Sequence, residues 1–481
     1  MRDPARLLLA AIAVTFTGCA VGPDYVRPDA GVPERFAGAA ATSPADVTPD
    51  TATAAAAPAP GADPQFWRGL GDPGLTRLVE AALVANHDLR IALANHDRAR
   101  ALLSGARLDQ LPTVTAAGTA SSQRLSESGA PGVTRTDRDG DRFNGEVDAS
   151  WELDLFGRVR RQVEARRADL AASAADLGAL QVAIVGAVAQ AYVELRGLQE
   201  RLRVAQANAG NQQDTLRLVE ARLAAGRGTD FDTSRARAQL ETTRARVPAL
   251  ESAVRLTMHR LAVLTGRAPD ALTAELAIPA PLPALPARLD AGTPGELLRR
   301  RPDVIAAESR LHAATARVGV ATADYFPRFT LAGLIGTQAI DTSALFERDS
   351  ETRLAALGVD WSFLDIGRVR ARVAAAGADA AAALAAYERS VLLALEDTEN
   401  ALVRAAKARA EDAHLERAAQ DSATAARLAR LRFEAGAVDL LDVLDAERTR
   451  LAAQDAFADA RTRSATATVA LYRALAGGYG S

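Results

Sequence analysis

In 481 residues the sequence has one cysteine, two methionines, five histidines and one lysine, Lys407. A single cysteine, Cys19, excludes a disulfide framework within the chain and any multi-cysteine metal site. Met258 is the only methionine after Met1, so no methionine-lined copper path exists. His87, His96, His259, His312 and His414 form no H-E-x-x-H pair, and His87 and His96 lie off one helical ligand face. No G-x-S-x-G nucleophile elbow is present. These absences leave no catalytic residue, cofactor or metal to expect. With 57 basic against 60 acidic residues the net charge is −3, which disfavours a nucleic-acid partner. Aromatics make up only 4% of the chain. The longest uncharged apolar stretch, Leu177 to Val193, contains Gln181 and Gln190 and is marginally short for a bilayer, so it reads as a helix buried by other helices.

What the chain has in excess is alanine, more than a fifth of all positions. Alanine is the best helix former and lets helices approach closely, so long, closely packed helices are expected. Residues 1–18 combine Arg2 and Arg6 with the apolar stretch Leu7 to Phe16, the pattern of a signal peptide. Small residues just before Cys19 resemble the bacterial lipoprotein signal, which implies cleavage before Cys19 and its lipidation. Ala20 stands where an aspartate commonly signals inner-membrane retention, which implies the outer membrane.

The chain repeats itself. Trp151-Glu-Leu-Asp-Leu-Phe-Gly157-Arg158-Val159-Arg160 returns 210 residues later as Trp361-Ser-Phe-Leu-Asp-Ile-Gly367-Arg368-Val369-Arg370. The same offset relates Arg222-Leu-Ala-Ala-Gly226 to Arg432-Phe-Glu-Ala-Gly436, and Asp232 to Asp442. Upstream, Leu111-Pro112 matches Phe326-Pro327 at an offset of 215. Such ordered matches mark an internal duplication. Each copy reads as a helix (74–110, 294–325), two extended segments (112–122 with 143–154, 327–338 with 353–364), a very long helix (157–225, 367–435), a Gly-containing turn and a last helix (230–266, 439–475). Pro248 predicts a kink in the first of these last helices, with none in its counterpart. Pro-rich stretches lie at 44–64 and 279–286. The expected organisation is a signal peptide (1–18), a lipidated tether (19–65), a first repeat (66–270), a Pro-rich linker (271–293) and a second repeat (294–478).

The extended segments alternate. Val147, Ala149, Trp151 and Leu153 fall on one side, and Glu146, Asp148, Ser150, Glu152 and Asp154 on the other. One apolar and one polar face suits a strand between lipid and a water-filled lumen. Four strands cannot close a barrel, and open edges cannot sit in lipid, so strands that span a membrane need several chains. Trp151 and Trp361 close their strands, where aromatic girdles sit. A helix over 157–225 would run roughly 100 Å, longer than globular domains hold, and requires a coiled coil or tube.

With these residues in view, the sequence resembles the TolC-like family of outer-membrane efflux proteins, in its NodT/OprM-type lipoprotein branch. The resemblance rests on Cys19-Ala-Val-Gly22-Pro23-Asp24-Tyr25-Val-Arg27-Pro28, on Phe66-Trp67-Arg-Gly-Leu-Gly71-Asp72-Pro73, on the turns at Gly157-Arg158 and Gly367-Arg368, and on Gly436-Ala-Val-Asp-Leu-Leu-Asp442-Val-Leu-Asp445. It covers nearly all of the mature chain. It implies a mixed α and membrane-β fold, with coiled-coil hairpins forming a long helical barrel and four strands per chain entering a trimeric twelve-stranded β-barrel. The implied partners are two further copies of the chain, a periplasmic adaptor, an inner-membrane pump and outer-membrane lipid. The implied role is the passive exit duct of a tripartite efflux pump with an RND-type inner-membrane partner, carrying drugs or other small molecules. A type I secretion duct and, in another class, a lipid-anchored coiled-coil scaffold are the alternatives.

A conduit acts through its constrictions and docking surfaces. The turns Gly226-Arg227-Gly228 and Gly436-Ala437-Val438 are the family's adaptor-facing tips. Just beyond them lie Asp232, Asp442 and Asp445, which the family places at the periplasmic entrance. Asp442 and Asp445 are three apart and share a helix face. Repetition in an oligomer would turn one carboxylate into a ring. Arg222 and Arg432 are candidates to hold a closed entrance through ion pairs.

Overall fold

The computed structural model describes residues 20–29, 31–38, 59–60, 63–126, 128, 134, 136, 138–284, 286 and 289–476. In chain order the main elements are α1 (Pro73–Ala85), α2 (His87–Leu108), β1 (Thr113–Arg124), β2 (Asp139–Leu153), α3 (Arg158–Ala224), α4 (Asp230–Arg244), α5 (Arg246–Leu264), α6 (Pro294–Arg300), α7 (Pro302–Ala323), β3 (Arg328–Ala339), β4 (Glu351–Asp360), α8 (Ile366–Glu434) and α9 (Leu440–Ala474). They group into two compact units. One holds the described residues of 1–29, 94–174 and 306–389, the other those of 30–93, 175–305 and 390–481. Each unit draws on both copies of the repeat.

The first unit carries the sheet. Its order is β1-β2-β3-β4, antiparallel throughout, so the two copies join at β2 and β3. Asp148 lies opposite Leu334 and Val147 opposite Ile335. The alternation read from the sequence therefore crosses the joint: Val147, Leu331, Ile335, Leu357 and Val359 share one face and are all exposed. Strand β2 starts earlier than the sequence pattern indicates, because the hairpin continues up to Arg124 and Asp139, whose ion pair closes at 2.5 Å. Asp154 is not part of the strand face. It turns back to accept from the backbone N–H groups of Val159 (3.1 Å) and Arg160 (2.8 Å) at the start of α3. Trp361 likewise sits just past the end of β4.

The second unit is helical. Phe66, Leu75, Val185, Tyr192, Leu261, Val469 and Tyr472 are buried together, and Phe66 stacks on Tyr472 with ring centroids 4.4 Å apart. Val182, Val185, Val188 and Val193 belong to the Leu177–Val193 stretch and are buried here by protein. Asp72 caps α1 through the N–H groups of Gly74 and Leu75, and accepts from the Tyr192 hydroxyl at 2.8 Å. Burial, with this carboxylate beside it, pushes the Tyr192 hydroxyl up to about 12, and the nearby Arg196 opposes the shift.

Each first helix expected from the sequence is two. The 74–110 segment breaks at Asn86, whose side-chain oxygen accepts from Asp88 and Leu89 and whose amide donates to the Leu264 carbonyl. The 294–325 segment breaks at Arg301, because Pro302 pushes the preceding residue out of the helical region. Pro248 acts as expected. Its ring crowds the Arg244 carbonyl, the helix breaks at Ala245, and α9 runs unbroken past the matching position. Ala59–Pro60, in the first Pro-rich stretch, also pairs in parallel with Leu289–Asp290, just beyond the second, a pairing that no strand pattern signals.

Candidate functional site

Both helix tips end in the same way. Gly226 and Gly436 have φ of 71° and 75°, a region that costs a side chain about 1 kcal/mol. The Gly226 N–H donates to the Leu223 carbonyl and the Arg227 N–H to the Arg222 carbonyl. The Gly436 N–H donates to Phe433 and the Ala437 N–H to Arg432. These are paired Schellman closures, and they explain why an Arg-x-x-x-Gly pattern recurs 210 residues apart.

Beyond the glycines the tips diverge. Thr229 caps α4, and its hydroxyl and backbone N–H both donate to the Asp232 carboxylate, at 2.7 and 3.1 Å. Asp232 is thus held in a capping box. In the second tip Asp439 occupies the cap position without a side-chain capping bond. Asp445 pairs with Arg448 at 2.6 Å. Asp442 is exposed, and no hydrogen bond or ion pair engages its carboxylate among the described residues. Of the three aspartates it is the one whose charge is uncommitted within a single chain.

The two arginines also differ. The Arg222 guanidinium lies over the Phe433 ring, 4.4 Å from its centroid, so within the chain it makes a cation–π contact. Arg432 is exposed and makes no ion pair among the described residues. Between the tips is a cleft of about 330 Å³, lined by Arg227, Gly228, Phe231 and Asp232 on one side and by Phe433, Val438 and Leu441 on the other. Sequence reading assigned no capping role to Thr229, although Thr229-x-x-Asp232 is a legible capping pattern, and no role to the aromatic Phe433.

The first strand-to-helix junction forms a second built feature. Gly157 has φ of 81°, and a Cβ there would lie 2.7 Å from the Cα of Ala20. The chain beyond Ala20 stays docked. The Val21 N–H donates to the Phe156 carbonyl, and Gly22 approaches Gly319 so closely that a Cβ would lie 2.4 Å from its Cα. Buried Arg161 donates to the Val21 carbonyl (3.3 Å), the Asp24 carboxylate (2.6 Å) and Glu164 (2.8 Å). The Tyr25 ring stacks on His312 at 4.4 Å, and Arg27 pairs with Glu308 at 2.9 Å. Cys19, the expected lipidation site, lies outside the described residues. No group of three or more His, Cys, Asp or Glu able to hold a metal occurs among the described residues.

Long helix hairpins with glycine-closed tips, together with an antiparallel sheet whose apolar face is exposed, are the attributes of an outer-membrane channel. The model of the outer membrane efflux protein family matches residues 78–267 and 293–477, and the chain belongs to that family. It is similar to the outer membrane protein OprJ of Pseudomonas aeruginosa, 34% identical over all of this chain and 97% of that protein. It is also similar to nodulation protein T of Rhizobium leguminosarum bv. trifolii, 31% identical over 97% of this chain and 96% of that one. Among solved structures, the outer-membrane channel OprN superposes with a TM-score of 0.85 at 40% identity, covering 96% of this chain and 100% of the channel. The protein is accordingly an outer-membrane efflux protein.

Proposed function

We propose that three copies of this chain form the exit duct of a tripartite efflux pump, conducting drugs or other small molecules passively from the periplasm to the exterior. In this reading residues 1–18 are a signal peptide, lipid is attached at Cys19, 19–65 is the tether, 66–270 and 294–478 are the two repeats and 271–293 links them. Four strands from each copy close a twelve-stranded barrel, and the hairpins continue it into the periplasm. A periplasmic adaptor meets the tips at Gly226, Arg227, Gly228, Gly436, Ala437 and Val438, and an inner-membrane pump supplies the driving force.

The observation that carries the reading is the sheet. It has two end strands with one neighbour each, an apolar face exposed at Leu331, Ile335 and Leu357, and an opposite face bearing Glu146, Asp148 and Glu152. Such a sheet cannot sit alone in lipid, because its free N–H and C=O groups would be unpaired. The gate is assigned to Asp442, with Asp232 and Asp445 beside it and Arg222 and Arg432 as its cationic surroundings. Three uncommitted Asp442 carboxylates around one axis would form a narrow acidic ring.

Single-channel recording in planar bilayers tests both levels. Small wild-type currents that rise severalfold in Asp442→Ala support duct and gate together. Equal currents keep the duct and remove the gate from Asp442. No current from a protein shown to be trimeric overturns the duct.

A further inference from the structure

The end of the sheet away from the strand-to-helix junctions carries a loop that folds to one side. Residues 340–350 join β3 to β4 and contain two 3₁₀ turns, Thr342–Ala344 and Arg348–Ser350. Local hydrogen bonds hold the loop in shape. The Asp341 carboxylate accepts from the Ser343 N–H at 2.8 Å and from the Ser343 hydroxyl at 2.9 Å. The Ser350 hydroxyl donates to the Ala344 carbonyl at 2.7 Å. One further bond fixes the direction in which the loop leans: the Thr337 hydroxyl donates to the Leu345 carbonyl. Thr337 is two residues from Ile335, so it lies on the apolar face of the sheet, opposite Gly145 and Glu351. Burial along β3 agrees. On the apolar face Leu331 and Ile335 are exposed, Thr337 is half-buried and Ala339 is buried, whereas Gln338 on the polar face is exposed. The loop therefore folds over the end of the apolar face.

From this position the loop presents Phe346, 90% exposed, and Ile340, 82% exposed. They continue the exposed apolar row of Leu331, Ile335, Leu357 and Val359, and a contiguous row of this kind marks a contact surface. Charged side chains on the same face show where the row meets polar surroundings. Arg353, opposite Ile335, pairs with Glu351, opposite Thr337, at 2.9 Å. Arg124 pairs with Asp139 at the matching end of β1 and β2. A charge facing lipid is costly at the bilayer midplane and cheap at the interface, so these pairs set the headgroup level. The Leu345 carbonyl, bonded to Thr337, stands at that level. From Arg353 to Trp361 at the other girdle is eight residues. That is about 26 Å along a strand, or roughly 20 Å across a bilayer at a tilt of about 40°, against an apolar band of about 25 Å in such barrels. An apolar loop seated against the same face lengthens the band.

We infer that the β3–β4 loop is a membrane clasp: it lies on the lipid side of the barrel wall, and Phe346 and Ile340 seat at the boundary between headgroups and acyl chains in the outer leaflet. The inference rests on the duct proposed above, which puts the apolar face in lipid, and it adds the surface by which the far end of that face grips the membrane.

The partner is a lipid surface because that boundary is where an aromatic ring is favoured. Phe143 lies on the apolar face at the same end, opposite Ala339, so Phe346 and Phe143 form the far girdle to Trp151 and Trp361. The clasp belongs to the second copy of the repeat alone, since residues 125–138, between β1 and β2, include no aromatic residue. A loop held on the lipid side by Thr337 is turned away from the lumen, so it leaves the outer mouth of the duct unobstructed.

Phe346→Cys, labelled with an environment-sensitive NBD fluorophore, tests the seat in the full-length protein reconstituted into phosphatidylcholine–phosphatidylglycerol vesicles. Leu331→Cys on the apolar face and Gln338→Cys on the polar face are the references, and the labelled parent, whose only cysteine is Cys19, gives the background. Lipids with a spin label near the headgroup or near the chain end, and iodide on both sides of the membrane, report position. The label at Phe346→Cys is expected to be quenched about threefold more by the shallow than by the deep spin label, and about threefold less by iodide than the label at Gln338→Cys, as befits a side chain at the interface. Leu331→Cys should favour the deep spin label. Adding Thr337→Val to Phe346→Cys removes the donor to Leu345 and should raise iodide quenching about twofold as the loop leaves the wall. Iodide quenching of Phe346→Cys as strong as that of Gln338→Cys, with Leu331→Cys still quenched by lipid, would place the loop in water and overturn the clasp while the duct stands. A Leu331→Cys label that no lipid quencher reaches would take the apolar face out of lipid, and the duct reading would fail together with the clasp.

Discussion

At the first strand-to-helix junction Gly157 is left-handed, Asp154 caps the helix, Arg158 and Arg160 pair with Glu152 and Asp154, and the segment from Ala20 lies across the turn. At the second, Gly367 sits inside α8 with open space where its side chain would be, a short 3₁₀ turn covers Phe363–Asp365, and Trp361, Phe363, Leu364 and Ile366 are exposed. The two share Trp-x₅-Gly-Arg-Val-Arg and differ in what surrounds it. At positions matching Glu152 and Asp154 the second junction has Ser362 and Leu364, so the clasp is reduced to one exposed pair, Asp365 with Arg368 at 3.2 Å. A duplicated motif has kept its backbone role in one place and become a surface in the other. The first junction meets the chain's own N-terminal segment. The second is uncovered among the described residues.

Alanine at the two glycines should break this comparison most visibly. Gly157→Ala is expected to cost about 3 kcal/mol, since a left-handed non-glycine residue is strained and its Cβ would press on Ala20. Gly367→Ala, in the first turn of α8 with room for a side chain, is expected to stabilise by about 0.4–1 kcal/mol, chiefly because alanine restricts the unfolded chain. Denaturant midpoints of the two variants give the difference, and equal midpoints would show that the junctions are alike after all.

A smaller effect separates the two tips. Thr229→Ala removes the capping box and should cost about 1 kcal/mol, whereas Asp439→Ala, which deletes no capping bond, should cost at most a few tenths. Hydrogen exchange of the first turns of α4 and α9 would report it.

The smallest effect concerns acid. Burial raises the Glu164 carboxyl, but hydrogen bonds from Arg161 and His312 outweigh it and hold the group below the ordinary carboxylate range. A lowered native value means that its stabilisation is complete above the unfolded value, near 4.3, and is lost as the pH falls through the native value. Residues 20–28 should therefore lose amide protection, measured against the intrinsic exchange rate, as the pH falls below the ordinary carboxylate range. The start of α8, where Ala374 stands at the position of Glu164, should show no such step.

Much of this was readable from local pattern. Gly226 and Gly436 end their helices because only glycine takes the left-handed turn without strain, and that rule is local. Pro248 breaks its helix for an equally local reason. The strand alternation at 146–153 predicted which residues share a face, since a pleat has period two. Other features escaped because their causes are distant in sequence. Asn86 ends a helix while bonded to Leu264, Arg161 is buried beneath Val21 and Gly22, and Arg222 finds Phe433. The Asp232 carboxylate is the intermediate case. Its capping partner is three residues away and legible, but an aspartate that both caps and lines a tip reads equally as either.

The sequence alone determined the duplication, the order of helices and strands, the two-faced sheet and the closures at the helix tips, because each depends on residues a few positions apart. Only the tertiary structure decided that β2 and β3 join the copies, that one junction glycine is left-handed and the other helical, and that Asp442 stays uncommitted while Asp232 and Asp445 are paired. Those outcomes turn on which distant groups arrive within hydrogen-bond or van der Waals reach, and a motif repeated in the chain leaves that open.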